Sequence, residues 1–131
     1  MVETLTAHGK VLCLIVTTEA LPSETTFHTN PEHALQVGHI VHSAGHEIPR
    51  HIHVPVERQI TGTPEVLMVR HGRCQIDVYD SSRHLVATRE LAAGDILVLL
   101  AGGHGFRMLE DTVLLEVKQG PYAGPAEKEQ F

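Results

Sequence analysis

Short runs rich in Val, Ile and Leu recur between clusters of Gly, Pro, Asn and Asp, and no apolar spacing of 3.6 residues persists beyond about two turns. This is an all-β pattern. The runs that read as strands are Val11–Thr17, Leu35–His42, Arg50–Val54, Glu65–Val69, Arg73–Tyr79, Leu85–Leu91, Ile96–Leu100 and Val113–Lys118. Eight strands in a core of residues 11–118 suit a sandwich or a small barrel. Asp80-Ser81-Ser82-Arg83 predicts a hairpin turn, and Ala93-Gly94-Asp95 predicts the turn into Ile96–Leu100. One short helical turn is expected around Asn30-Pro31-Glu32-His33-Ala34, with Asn as cap and Pro at the first helical position. The tail, residues 119–131, carries two prolines and is expected along the surface. No internal repeat or linker interrupts the chain, so the expectation is a single domain over residues 1–131.

Composition narrows the function classes. A chain of 131 residues with 42% hydrophobic and 20% charged residues can bury a core. Ten Lys plus Arg against sixteen Asp plus Glu give a formal charge of −6, the wrong sign for gripping a phosphate backbone, so nucleic acid is not an expected partner. The longest apolar runs, Val11 to Val16 and Ile96 to Ala101, are six residues each, against roughly 20 needed to cross a bilayer. The N-terminal MVETLTAHGK shows no positive segment followed by an apolar stretch, so no membrane association and a cytoplasmic location are expected. Cys13 and Cys74 lie far apart in strand-like segments and read as buried thiols.

Eleven histidines are the unusual feature, because imidazole is the commonest metal ligand. In the segment Gly45 to His53, His51 and His53 stand at i and i+2, which in a strand puts both on one face with Cβ atoms about 7 Å apart. After eleven intervening residues Glu65 opens the next strand, sharing a face with Leu67 and Val69, and is expected to pair across a hairpin with the His strand. His104 follows a strand that ends in glycines, where a close backbone aims the imidazole. Three neutral nitrogens and one carboxylate suit one divalent first-row ion (Fe, Mn, Ni or Zn) with positions left open for water or substrate.

These residues carry a resemblance to small single-domain members of the cupin superfamily. The first cupin motif runs Gly, five residues, His-x-His, three or four residues, Glu, six residues, Gly. Gly45, His51, His53, Glu65 and Gly72 reproduce it except for the gap before the carboxylate, which is eleven residues here. Glu57, four residues after His53, fits the shorter spacing and is the alternative to Glu65. The interval from Glu65 to Gly72 favours Glu65. The second motif is matched by Gly94, Gly102 and His104, with Leu100 where Pro is usual and the last interval one residue shorter. The run Leu115 to Tyr122 is similar to the ends of small cupin metalloproteins found with bacterial surface-sugar biosynthesis. The resemblance implies a double-stranded β-helix, a jelly-roll-like barrel, and a bacterial source. It also points to a homodimer, as does the need to cover an apolar barrel edge such as Val11–Thr17.

Around the ligands, Arg50, Arg58 and Glu57 are the candidate substrate-binding residues. The arginines can clamp an anion bidentately, and residues 55–64 form a long loop at the mouth expected for the barrel. His42 and His46 are candidate donors to the ligating imidazoles. No catalytic acid or base is singled out, and no organic cofactor is expected. The favoured reading is an enzyme acting on a small organic substrate, sugar-like or carboxylated, by isomerase, lyase or dioxygenase chemistry. The alternative is a non-catalytic ligand-binding or sensing protein.

Overall fold

The computed structural model describes every residue, Met1–Phe131. Its strands are β1 (Val2–Ala7), β2 (Lys10–Val16), β3 (Thr26–Phe27), β4 (Gly38–His39), β5 (Glu65–His71), β6 (Arg73–Tyr79), β7 (Leu85–Ala92), β8 (Ile96–Leu99), β9 (Gly103–Met108) and β10 (Val113–Lys118). A 3-10 turn at Pro125–Glu127 is the only helical element, and no helix is long and apolar enough to cross a membrane. The chain divides into two compact units, one of Met1–Ala20 with Thr63–Phe131, the other of Leu21–Gly62.

The first unit is a β-sandwich. A five-stranded sheet of order β1-β2-β8-β5-β10 and a three-stranded sheet of order β7-β6-β9 are antiparallel throughout. Register decides what faces inward: Cys13 pairs with Leu99, Ile15 with Leu97, and Leu67 with Leu97, so alternate residues of neighbouring strands share one face. That face meets Cys74, Ile76 and Val78 of β6 and Leu91 of β7 in one buried apolar cluster. Leu14, Val16 and Val98, on the opposite face of the larger sheet, are buried as well. Both faces of its central strands are therefore apolar, which is why they read as continuous hydrophobic runs rather than as alternating ones.

Two glycines turn the chain from one sheet into the other. Gly72 is the single residue between β5 and β6, its φ is +80°, and a Cβ there would run into the Asp111 carbonyl oxygen. Gly102, between β8 and β9 with φ +73°, would meet the Tyr79 carbonyl in the same way. Both belong to the glycines that carry the cupin resemblance, and each has a steric reason to be glycine. On the opposite side, Arg89 of β7 donates from Nε and Nη2 to Glu3 of β1 at 2.6 to 3.1 Å, tying the two sheets together. Neither sheet closes on itself, so the expected barrel is replaced by two open sheets with β1 and β10, and β7 and β9, as edges.

The second unit is sparse in regular structure. Its β3–β4 ladder pairs Thr26 with His39 and Phe27 with Gly38. The expected strand Leu35–His42 contracts to these two β4 residues. Asn30 accepts the Glu32 N–H on Oδ1 at 2.9 Å and the His33 N–H on its carbonyl at 3.0 Å, which makes a turn where one helical turn was expected. The expected strand Arg50–Val54 is absent. Pro49 and Pro55 bracket it and remove backbone donors at both ends.

Three strands escaped the sequence pattern: β1, β3 and β9. Of the expected turns, both are made. Arg83 N–H donates to the Asp80 carbonyl at 3.0 Å, and Asp95 N–H to that of Ala92 at 3.0 Å. The stretch Val11–Thr17, expected as an exposed edge, is β2 and lies between β1 and β8.

Three outcomes follow from these contacts. Gly72→Ala is expected to lower stability by about 2 kcal/mol or more in urea titrations, since it adds left-handed strain to an overlap with backbone. Both thiols are buried, and burial pushes Cys13 up to about 11 and raises Cys74 too, so neither is expected to react with a disulfide reagent at pH 8 until the protein unfolds.

Asp80 sets an acid limit. Its Oδ1 accepts the His84 N–H at 3.0 Å and the Ser82 N–H at 2.9 Å, while Oδ2 faces His8 Nε2 at 3.2 Å. The His84 N–H first, then the His8 imidazole and the Ser82 N–H, hold the carboxyl below its ordinary range against the opposing effect of burial. A folded value below the unfolded one contributes stability that is present above about pH 4 and lost as pH falls through the folded value. Unfolding midpoints between about pH 3 and 6 should therefore depend less steeply on pH in Asp80→Asn than in the wild type.

Candidate functional site

Glu65 is the first residue of β5 and one of four buried polar residues in the chain. Its neighbours across the ladders are Leu99 on β8 and Lys118 on β10, so β5 is paired on both sides. The hairpin expected between Glu65 and residues 50–54 therefore has no free edge of β5 on which to form. Inward parity with Leu67 and Val69, expected from the sequence, is observed, because all three face the sandwich core.

His104 is the second residue of β9 rather than part of a glycine turn. It pairs with Val78, an inward residue of β6, and shares its face with Phe106, which packs against the core. The imidazole thus points between the sheets, with its ring 5.9 Å from that of Phe106 in an edge-to-face arrangement. Its Nε2 stands 3.4 Å from Glu65 Oε2, with side-chain exposures of 34% and 7%. Two candidate ligands that are 39 residues apart in sequence are brought together here, one from each sheet.

The separation is chemically informative. A nitrogen and an oxygen bound at about 2.1 Å to one ion stand about 3.0 to 3.4 Å apart for octahedral to tetrahedral angles. The Glu65–His104 pair fits two positions of such an ion. The Glu65 carboxylate makes no other side-chain contact to a cationic group.

His51 and His53 belong to the second unit, exposed and outside any strand, with their rings 5.3 Å apart. His51 Nδ1 lies 2.8 Å from the Pro49 carbonyl oxygen. A carbonyl only accepts, so Nδ1 carries the proton, and the lone pair of the neutral ring is left on Nε2. That is the outer hydrogen bond a metal-ligating histidine ordinarily makes. His42 and His46 stack on one another at 4.0 Å between ring centroids. Arg50, Glu57 and Arg58 are exposed and form no ion pair. Within neither unit are three or more His, Cys, Asp or Glu side chains gathered closely enough to hold an ion as they stand.

A pair not singled out from sequence lies in the β3–β4 hairpin, where His28 Nε2 and His39 Nδ1 are 2.7 Å apart. One ring must donate and the other accept, and partial burial, then the His39 ring, lower the pKa of His28. Lys118 was also missed. Its signal was the parity of β10, which sets Leu114, Glu116 and Lys118 on one face against Val113, Leu115 and Val117 on the other.

Comparison with family models, with curated proteins and with solved structures returns no match. The cupin resemblance therefore stands on the motif residues themselves.

Proposed function

We propose that the chain is a small cupin-type metalloprotein, with the jelly-roll topology of that superfamily, acting as an enzyme on a small organic substrate. The observation that carries this reading is the Glu65 carboxylate, 7% exposed between two apolar sheets, whose one ion-pair contact is the His104 imidazole at 3.4 Å. Burying a carboxylate costs several kcal/mol unless a charge or a set of donors compensates it. A divalent ion supplies that compensation, and the donor separation matches its bond lengths. Glu65 and His104 would hold the ion. The motif assigns His51 and His53 as the further nitrogen ligands, and the His51 tautomer leaves Nε2 free for that role.

Bound there, such an ion would polarise a carbonyl or enediolate oxygen, or bind dioxygen if it is ferrous, which is the chemistry of isomerases, lyases and dioxygenases. The chain's own contribution is rigidity and dryness. Glu65 and His104 stand on paired strands rather than on loops, and Leu67 and Phe106, each two residues along the same face, place apolar surface beside them. Arg50, Arg58 and Glu57 remain the candidates for meeting substrate, with Glu57 the competing carboxylate ligand.

Metal content separates the two carboxylates. Glu65→Gln is expected to lose most of the bound metal, because removing a first ligand also removes a charge that offsets the ion's own. Glu57→Gln is expected to keep metal near the wild-type level. Elemental analysis of both variants, purified identically without an affinity tag, checks the ranking, and the reverse order would overturn the assignment of Glu65.

A further inference from the structure

Lys118 closes β10 directly opposite Glu65 in the ladder, so the two side chains leave the sheet on the same face. Opposite charges in that position ordinarily pair. Here they do not: Lys118 Nζ lies over the Tyr122 ring, 5.6 Å from its centroid, and forms no ion pair with any carboxylate. The lysine is only partly exposed. A cation is thus held by an aromatic face beside a buried carboxylate whose nearest side-chain partner is an imidazole.

We infer that Lys118 is a substrate-positioning residue that selects small carboxylates at the Glu65–His104 site. The inference rests on the metal reading given above and goes on to name the substrate class. The charges on this face support it. A divalent ion held by Glu65 would leave one positive charge, to which Lys118 adds a second and from which Glu116, exposed two residues earlier on the same face, removes one. One uncompensated positive charge remains, and one carboxylate neutralises it. The ammonium is the group that gives this anion an orientation, since Tyr122 holds Nζ away from Glu65. A neutral sugar would leave both the lysine and the excess charge without a partner.

The test uses glycolate, a small ligand with one carboxylate and one hydroxyl, titrated by NMR into Zn2+-loaded wild type, Lys118→Met and Lys118→Arg. Zinc content of each protein and of Glu65→Gln is measured in parallel. Expected is a Kd about tenfold weaker in Lys118→Met and within about threefold of wild type in Lys118→Arg, at unchanged zinc content. Wild-type affinity in Lys118→Met, or no saturable binding to the wild type, would overturn the inference. Inorganic phosphate binding more tightly than glycolate would overturn the carboxylate assignment. Full zinc content in Glu65→Gln strikes the metal reading alone, because the role of Lys118 is still decided by the ratio of the Lys118→Met and wild-type affinities.

Discussion

Mutual burial of two open sheets is the interaction on which the first unit depends. Ile15, Leu67, Leu97 and Leu99 from the larger sheet meet Cys74, Ile76, Val78 and Leu91 from the smaller one, and each sheet alone would leave these side chains in water. Fully burying one such side chain is worth about 1.5 to 3 kcal/mol, so the shared layer outweighs any single surface ion pair, worth about 1 kcal/mol or less. The chain must change sheets within one to three residues to build it. Gly72 and Gly102 do this with positive φ where a Cβ would strike a carbonyl oxygen. Polar contacts such as Glu3 with Arg89 then fix how the β1 and β7 edges meet.

That same packing creates the position of Glu65. Strand parity sends it inward with Leu67 and Val69, because shifting the register by one residue to expose it would turn the leucine and the valine outward too. The sheet thus spends part of its apolar gain on holding a carboxylate between layers. His104 arrives from the other sheet by the same logic, since its neighbour Phe106 must face the core. The encounter at 3.4 Å is a consequence of two core-facing strands rather than of a loop folded around a ligand.

Much of this was legible in the sequence as short runs of closely spaced apolar residues. Arg73–Tyr79 and Val113–Lys118 have the bounds the pattern gives, and β2, β5, β7 and β8 differ by one or two residues at an end. What failed has physical causes. The β9 run Gly-His-Gly-Phe-Arg-Met holds two glycines, so its alternation rests on few side chains. In β1 only Leu5 is buried, and its other residues carry little apolar signal. Residues 50–54 show the opposite error: Ile52 and Val54 alternate with His51 and His53 as in a strand, but both are exposed. Alternation states that a segment is able to pair, whereas pairing needs a free edge and backbone donors, and the prolines at 49 and 55 remove two of those donors.

The candidate site divides along the same line. Histidines at i and i+2 are visible because the interval is local, and so is the inward parity of Glu65. The juxtaposition of Glu65 with His104 is not local, since it depends on the strand order of both sheets, and only the motif intervals hinted at it. The Lys118–Glu65 register was hidden more deeply. It requires β10 to pair with β5 across 41 intervening residues after β8 has taken the other side of β5. Contacts set by strand order carry little signature in composition, because long-range antiparallel pairing leaves each strand free to keep its own local pattern. The buried acid is the exception. A carboxylate between Pro64 and a run of apolar residues marks a position where the fold accepts a desolvation cost, and such positions merit testing for function before surface charges do.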